Sequence, residues 1–409
     1  MDSVNRKTAA ARTIDGRIVV ILMLAAGLRL AWIATLSGDE ASLDRLPDQR
    51  EYLELGRNLL DHHELKFLDT RFDDVVHTYR TPGYPLMVAM CDGDLQLVRV
   101  AQALLDTSSV VGVYLLSLAL SRKRQEVALF AAGIVAVNPF LIYFCGLVLS
   151  ETLFTAMLVW GMFLLVVPRR AIAWWAGVIL LALAVLVRPS AIGLPVILGV
   201  ISIFVNRERG RPYDWRWASI GAVAVTILVL LPWAWRNDRL LGRWIWTTTN
   251  KGITQYDGFN PDATGASDQR FIATMPQLKA MNEVDRSQYL AKLSRQFIGE
   301  HPLRAIELGA IKIARTWSPV PLSREYEQPK FVLIALVYMI PLYVLVVRGL
   351  WRGQTSLWVK LYLMAPALYF TMVHAISIGS LRYRVPADLP MAIVAAFAVA
   401  TASSGAVKS

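Results

Sequence analysis

The chain alternates between long apolar runs and short charged joints, with two long polar segments interrupting the series. About 20 helical residues cross a hydrocarbon core, and most of the runs approach that length. They are not the short alternating segments of a membrane barrel. The pattern predicts ten membrane helices: Arg17–Leu36, Gln96–Leu120, Val127–Phe144, Leu147–Val167, Ala173–Val187, Ala191–Val205, Ala218–Trp235, Phe331–Val347, Leu357–His374 and Ala387–Ala402. The fold class expected is an all-α polytopic membrane protein of about ten transmembrane helices, one transmembrane domain over residues 1–409. The first polar segment runs over residues 38–94 and the second over residues 238–329.

Both polar segments carry helical patterns of their own. Pro47 suits the first turn of a helix, and Tyr52, Leu55, Leu59 and Leu60 fall on one stripe. In the second segment Asp285 can cap a helix whose stripe is Tyr289, Leu293 and Phe297, ending at His301-Pro302. Leu303–Trp317 continues as another. Such helices suit a membrane interface.

Composition and charge sharpen this picture. Of 409 residues 55% are hydrophobic and only 18% charged, against about a quarter charged in a soluble protein. The net charge of +11 would suggest nucleic acid in a soluble chain. Here the basic clusters sort to one side of the predicted spans: the N-terminal tail, Arg122–Arg124, Arg169-Arg170, Arg207–Arg216 and Arg348–Arg352. That side is cytoplasmic by the positive-inside rule, so no nucleic-acid partner is needed. Both termini are then cytoplasmic and the polar segments face outward. The basic N-terminus leads into a run too long for a signal peptide and is read as an uncleaved first span. Arg188, Arg236, Arg382 and Arg384 fall at outer span ends, against the bias, and require another reason. Cys91 and Cys145 form no metal pattern, and a disulfide between them stays open.

Candidate chemistry gathers in a few places. Asp48 opens the predicted helix of the first polar segment, with Tyr52 one turn on. It is either a general base or a carboxylate that stabilises the helix dipole. Asp39 and Glu40 are rival acids nearby. In Arg80-Thr81-Pro82-Gly83-Tyr84-Pro85 a stiff turn can hold Arg80 and Tyr84, and arginine suits a phosphate because it bonds two oxygens at once. A bare re-entry turn is the alternative. Glu151 begins an apolar run, where a carboxylate is costly; it could also serve a helix cap with Ser150. Arg382-Tyr383-Arg384 with Pro386 is a basic motif suited to a phosphate ligand or to lipid headgroups. Arg188-Pro189 and Arg236-Asn237 repeat the argument more weakly. His62-His63 has no third ligand at useful spacing, and no P-loop, dinucleotide fingerprint or nucleophile elbow is present.

Six stretches in order resemble the GT-C superfamily of membrane glycosyltransferases, in the bacterial branch related to protein O-mannosyltransferases and lipid A aminoarabinose transferases (glycosyltransferase family 39-like). They are Asp48 to Tyr52 with LELGRNLL, YRTPGYPLMVAM, NPFLIYFCGLVLSETLF, LVRPSA, PWAWRN and RYRVPADLP. The resemblance implies a polyprenyl-phosphate sugar as donor and transfer on the outer face of the cytoplasmic membrane, with inversion. It implies Asp48 as base, Arg80, Arg382 and Arg384 near the donor phosphate, and Glu151, Tyr52 and Tyr84 orienting the acceptor. Relatives carry a paired Asp-Glu in the first loop. Here that pair is Asp39-Glu40, while the downstream match selects Asp48. Some members use a divalent cation, which the carboxylates could hold. Sugar and acceptor are not implied. The competing readings are a lipid or solute transporter or flippase and a non-catalytic GT-C-like subunit.

Overall fold

The computed structural model describes residues 15–167, 171–210, 215–322 and 328–405. The basic N-terminal tail to residue 14, Arg169-Arg170 and residues 211–214 of the Arg207–Arg216 joint lie outside them.

The chain enters as α1 (Gly16–Ala34) and turns into the first polar segment. This holds α2 (Pro47–His62), a hairpin of β1 (Phe67–Asp69) and β2 (Asp74–Val76), and α3 (Gly83–Met90). The apolar helices follow: α4 (Leu95–Leu120), α5 (Gln125–Ala136), α6 (Pro139–Phe144), α7 (Glu151–Val166), α8 (Ala171–Val185), α9 (Leu194–Arg207) and α10 (Trp215–Leu241). The second polar segment contains α11 (Asn250–Gly258), α12 (Phe271–Thr274), α13 (Glu283–Glu300) and α14 (Pro302–Thr316). Three more helices, α15 (Pro329–Arg352), α16 (Leu357–Ala375) and α17 (Val385–Gly405), complete the order.

Five stretches among the described residues are helical, long and apolar enough to cross a membrane: Gly16–Ala34, Leu95–Leu120, Pro189–Arg207, Arg216–Leu241 and Pro329–Arg352. Of the other predicted runs, two lie in continuous helices of 19 and 21 residues, α16 and α17, and the rest are shorter or broken helices. The third run is cut at Asn138, whose side chain accepts from Phe140 and Leu141 N–H and starts α6 afresh. Helices α5, α7 and α8 have 12, 16 and 15 residues, about 18–24 Å at 1.5 Å per residue. A hydrocarbon core is about 30 Å.

Helix α17 runs through the middle. Residues 385–398 are buried on every side, as expected of a helix apolar all round. It packs on α15, α5 and α16. Contact with α15 is so close that a Cβ on Gly349 would lie 2.0 Å from the Val394 carbonyl oxygen. Charge inside the apolar layer is paired: buried Arg29 donates to Asp106 at 2.6 Å and to the Val135 and Ala136 carbonyls at the end of α5.

The two polar segments share a core of their own. Leu55, Phe67, Phe72, Val76 and Tyr79 from the first pack with Ile253, Tyr256, Leu278 and Leu290 from the second. Helix α13 is capped by Asn282, not by Asp285; the Asn282 side chain accepts from Val284 and Asp285 N–H. Its first residue, Glu283, staples the two segments together. Its carboxylate accepts from His77 N–H (2.9 Å), Thr78 N–H (3.2 Å) and the Thr249 hydroxyl (2.8 Å). Cys91 and Cys145 are both free and buried.

Candidate active site

The site begins at α2. Pro47 occupies its first turn, where its fixed φ and missing N–H cost nothing, and this places Asp48 at the open end of the helix. Asp48 Oδ1 accepts from Arg80 Nη2 at 2.7 Å, and Oδ2 accepts from Arg382 Nη1 at 3.0 Å. Arg80 also donates to Glu51, one turn along α2, through Nε (2.9 Å) and Nη2 (2.5 Å). Arg382 Nε reaches Glu151 Oε1 at 2.7 Å, and Arg188 Nη1 stands 3.3 Å from the same oxygen. The result is an alternating chain of charge: Glu51, Arg80, Asp48, Arg382, Glu151, Arg188.

Each member arrives from a different element. Arg80 follows the hairpin. Just beyond it the turn closes on the apolar layer, with Gly83 N–H donating to the Leu186 carbonyl at 2.8 Å. Glu151 is the first residue of α7, and Arg382 sits in a short 3-10 helix, Leu381–Tyr383, ahead of α17. Aromatic faces fix the guanidiniums. Arg80 lies 5.1 Å from the Tyr52 ring and 5.1 Å from Tyr79. Arg188 and Arg382 lie 5.2 and 5.8 Å from Tyr383. Tyr52 in turn meets Tyr84 edge to face at 4.8 Å, and the Tyr84 hydroxyl donates to Gln102.

Exposure separates the three carboxylates. The Asp48 side chain is 30% exposed, Glu51 13% and Glu151 1%, so Asp48 is the most accessible of the three. Burial acts to raise its carboxyl, but the Arg80 and Arg382 guanidiniums overcome this and hold it well below the usual carboxylate range. Burial pushes Glu51 up instead; Arg80 opposes the shift and the Asp48 charge adds to it.

Not every predicted residue joins. Asp39 caps the Glu40–Arg45 3-10 helix, and Glu40 pairs at the surface with Arg57 (2.6 Å). Arg236 donates to the His77 and Leu65 carbonyls and so supports the strap leading to Arg80. Arg384 is fully buried and turns inward, to the Ser318 carbonyl (2.7 Å), the Tyr343 hydroxyl (2.7 Å) and Asp388 (3.4 Å). Sequence reasoning gave no role of their own to Glu51, Tyr79 and Tyr383, and passed over Arg71, which donates to Asp69 and the Tyr79 hydroxyl. Glu51 was findable, being one helical turn from Asp48. Arg71 gave no signal, because only the hairpin brings it in.

Among the described residues no three His, Cys, Asp or Glu side chains converge to hold a divalent cation, and the site's acids face guanidiniums.

Beside Arg382 an apolar cleft of about 390 Å³ opens, lined by Trp32, Phe140, Leu147, Phe331 and Ile334. Its charged lining residues are Arg315 and Arg382.

No family model matches the sequence, and no curated protein matches it. Solved structures do. The Archaeoglobus fulgidus oligosaccharyltransferase in complex with zinc and sulfate matches at TM-score 0.56 and 15% identity, over 95% of this chain and 49% of that chain. Its apo form matches at TM-score 0.55 and 14% identity, over 95% and 50%. ArnT from Cupriavidus metallidurans bound to undecaprenyl phosphate aligns at TM-score 0.40 and 13% identity, over 96% and 79%, a score too low to carry an argument. The chain spans about half the length of the oligosaccharyltransferase chains. The fold of this chain is similar to that of the oligosaccharyltransferase structures.

Proposed function

We propose that this protein is an inverting membrane glycosyltransferase that moves a sugar from a polyprenyl-phosphate donor to an acceptor hydroxyl. The observation that carries the reading is the accessible Asp48 carboxylate, clamped between Arg80 and Arg382 beside an apolar cleft. The cleft suits a prenyl chain, and arginines suit the phosphate at its end.

In the proposed reaction the acceptor oxygen attacks the anomeric carbon and the bond from that carbon to the phosphate oxygen breaks. Asp48 takes the hydroxyl proton. The lipid phosphate leaves as an anion, its charge met by Arg80 and Arg382. In the free protein those guanidiniums neutralise Asp48. A donor phosphate that draws them away restores the carboxylate's basicity, so the base is armed only when donor is bound. Glu151 and Arg188 hold Arg382 in place, and Tyr52 and Tyr84 shape the floor beneath Arg80.

The placement we propose is the cytoplasmic membrane, with about ten spans, both termini inside and the site on the outer face. Residues 38–94 are the catalytic loop, and residues 238–329 the loop that buttresses it. The acceptor is a lipid, a protein or a cell-envelope glycan.

The test is reconstitution in liposomes with a panel of polyprenyl-phosphate sugars. Sugar transfer or release that depends on Asp48 supports the reading. Labelled lipid crossing the bilayer with no donor consumed replaces it with a transporter.

A further inference from the structure

The charge chain ends in Glu151 and Arg188, which serve the proposed reaction only by holding Arg382. Three polar atoms there have no hydrogen-bond partner among the described residues: Glu151 Oε2, His374 Nε2 and Arg188 Nη1, whose one charge contact is the 3.3 Å ion pair with Glu151 Oε1. Their side chains are all more than nine-tenths buried, at 1%, 7% and 4% exposure. Buried polar groups are nearly always satisfied, so three orphans in one place call for a common partner.

They are in one place because Tyr383 gathers them. The His374 ring stacks on Tyr383 with centroids 3.8 Å apart and planes within 1°. The Arg188 guanidinium lies 5.2 Å from the same ring. Arg382, 5.8 Å from that ring, holds Glu151 by its other oxygen. His374 is fixed from behind, its Nδ1 3.1 Å from the Ser377 hydroxyl. Phe370 closes the other end of the stack, 6.1 Å from His374.

The three orphans differ in kind. A carboxylate oxygen only accepts, a guanidinium only donates, and an imidazole nitrogen does either according to tautomer. A ring bearing several hydroxyls, each donor and acceptor at once, matches that set. Its position follows from Arg382, the residue shared with the apolar cleft. A sugar is joined to its lipid phosphate through a single oxygen. A phosphate on Arg382 therefore puts the sugar next to whatever else Arg382 touches, which is Asp48, Glu151 and Tyr383, and the last two border the orphaned atoms.

We propose that Glu151, Arg188 and His374, grouped around Tyr383, form the subsite that holds the hydroxyl groups of the donor's sugar. This rests on the glycosyl-transfer reading. It makes His374, absent from the charge chain, a residue that selects the sugar.

The experiment measures binding of bare undecaprenyl phosphate, and of undecaprenyl phosphate carrying mannose, glucose, galactose or an aminopentose, to the wild-type protein, His374→Phe and His374→Gln in nanodiscs. Phenylalanine keeps a flat ring on Tyr383 and removes Nε2; glutamine restores a polar group at that reach. The expected result is one glycosylated donor binding the wild type about tenfold or more tighter than the bare lipid. That increment vanishes in His374→Phe and returns in part in His374→Gln, with bare-lipid affinity unchanged throughout. An increment that survives His374→Phe overturns the subsite. So does a bare-lipid affinity that falls with it, which would assign His374 to packing alone. Bare lipid bound with no increment from any sugar overturns it too. Absence of bare-lipid binding overturns instead the donor reading beneath it.

Discussion

Asp48 and Arg382 are 334 positions apart in the chain and 3.0 Å apart in the fold. One belongs to the first polar segment, the other to the approach to the last helix. Their contact joins the two halves of a chain of alternating charge, and the outcomes below follow from that chain and its supports.

Asp48→Asn keeps the shape and removes the proposed base. Transfer falls on the order of 100- to 10,000-fold, measured as sugar transferred per minute in liposomes, while membrane insertion is unchanged. The carboxyl is held below its ordinary value in the fold. Its stabilising contribution is therefore present above the unfolded pKa and lost as pH falls through the lower folded one. The difference in Tm between wild type and Asp48→Asn persists through neutral and mildly acid pH and closes only in strong acid.

Glu283→Gln tests the staple behind Arg80. The carboxylate accepts three donors, from residues 77, 78 and 249, and an amide nitrogen can accept none of them. One or more buried donors are orphaned at about 1–3 kcal/mol. Hydrogen exchange at amides 77–80 accelerates, and KM for the donor rises more than kcat falls.

Gly83→Ala tests the turn. The added Cβ would sit 2.8 Å from the Leu186 carbonyl oxygen and 2.8 Å from Val187 Cγ2. Backbone cannot give way as a side chain does, so the turn shifts, at a cost of about 1–3 kcal/mol. A lowered Tm with a weakened donor affinity is the expected pair of readouts. An unchanged Tm would count against the close packing.

Lys312 gives a pH signature away from the site. Its side chain is fully buried, with Nζ 3.2 Å from the Phe259 ring centroid. Burial pushes the amine down to about 7, against the opposing charge of Asp257. The unfolded lysine titrates at about 10.4, so between the two values the unfolded chain binds the extra proton and stability rises with pH. Tm should climb from pH 7 to pH 9 in the wild type. Lys312→Met should flatten that rise.

Much of this protein is legible in its residues alone. The long apolar runs set the class, because a helix in hydrocarbon must be apolar along its length. Pro47 marks the start of α2 and His301-Pro302 the end of α13, since proline acts on the one or two residues beside it. The ordered motifs point to a GT-C fold. These signals are local or, like the motif order, linear.

Tertiary structure decided the rest. Arg382 and Arg384 are two positions apart and look alike in sequence, yet the short 3-10 helix sends one to Asp48 and Glu151 and the other inward to Asp388. Asp39, Glu40 and Asp48 are equivalent acids by composition. The motif match favours Asp48, and the arrival of Arg80 and Arg382 from distant segments sets its surroundings apart from those of the other two. The cut at Asn138, the hairpin that delivers Arg71 and the stack of His374 on Tyr383 have the same origin. Periodicity tells which face of one element is buried, whereas the meeting of charged side chains from separate elements is set by long-range packing, which no local pattern encodes.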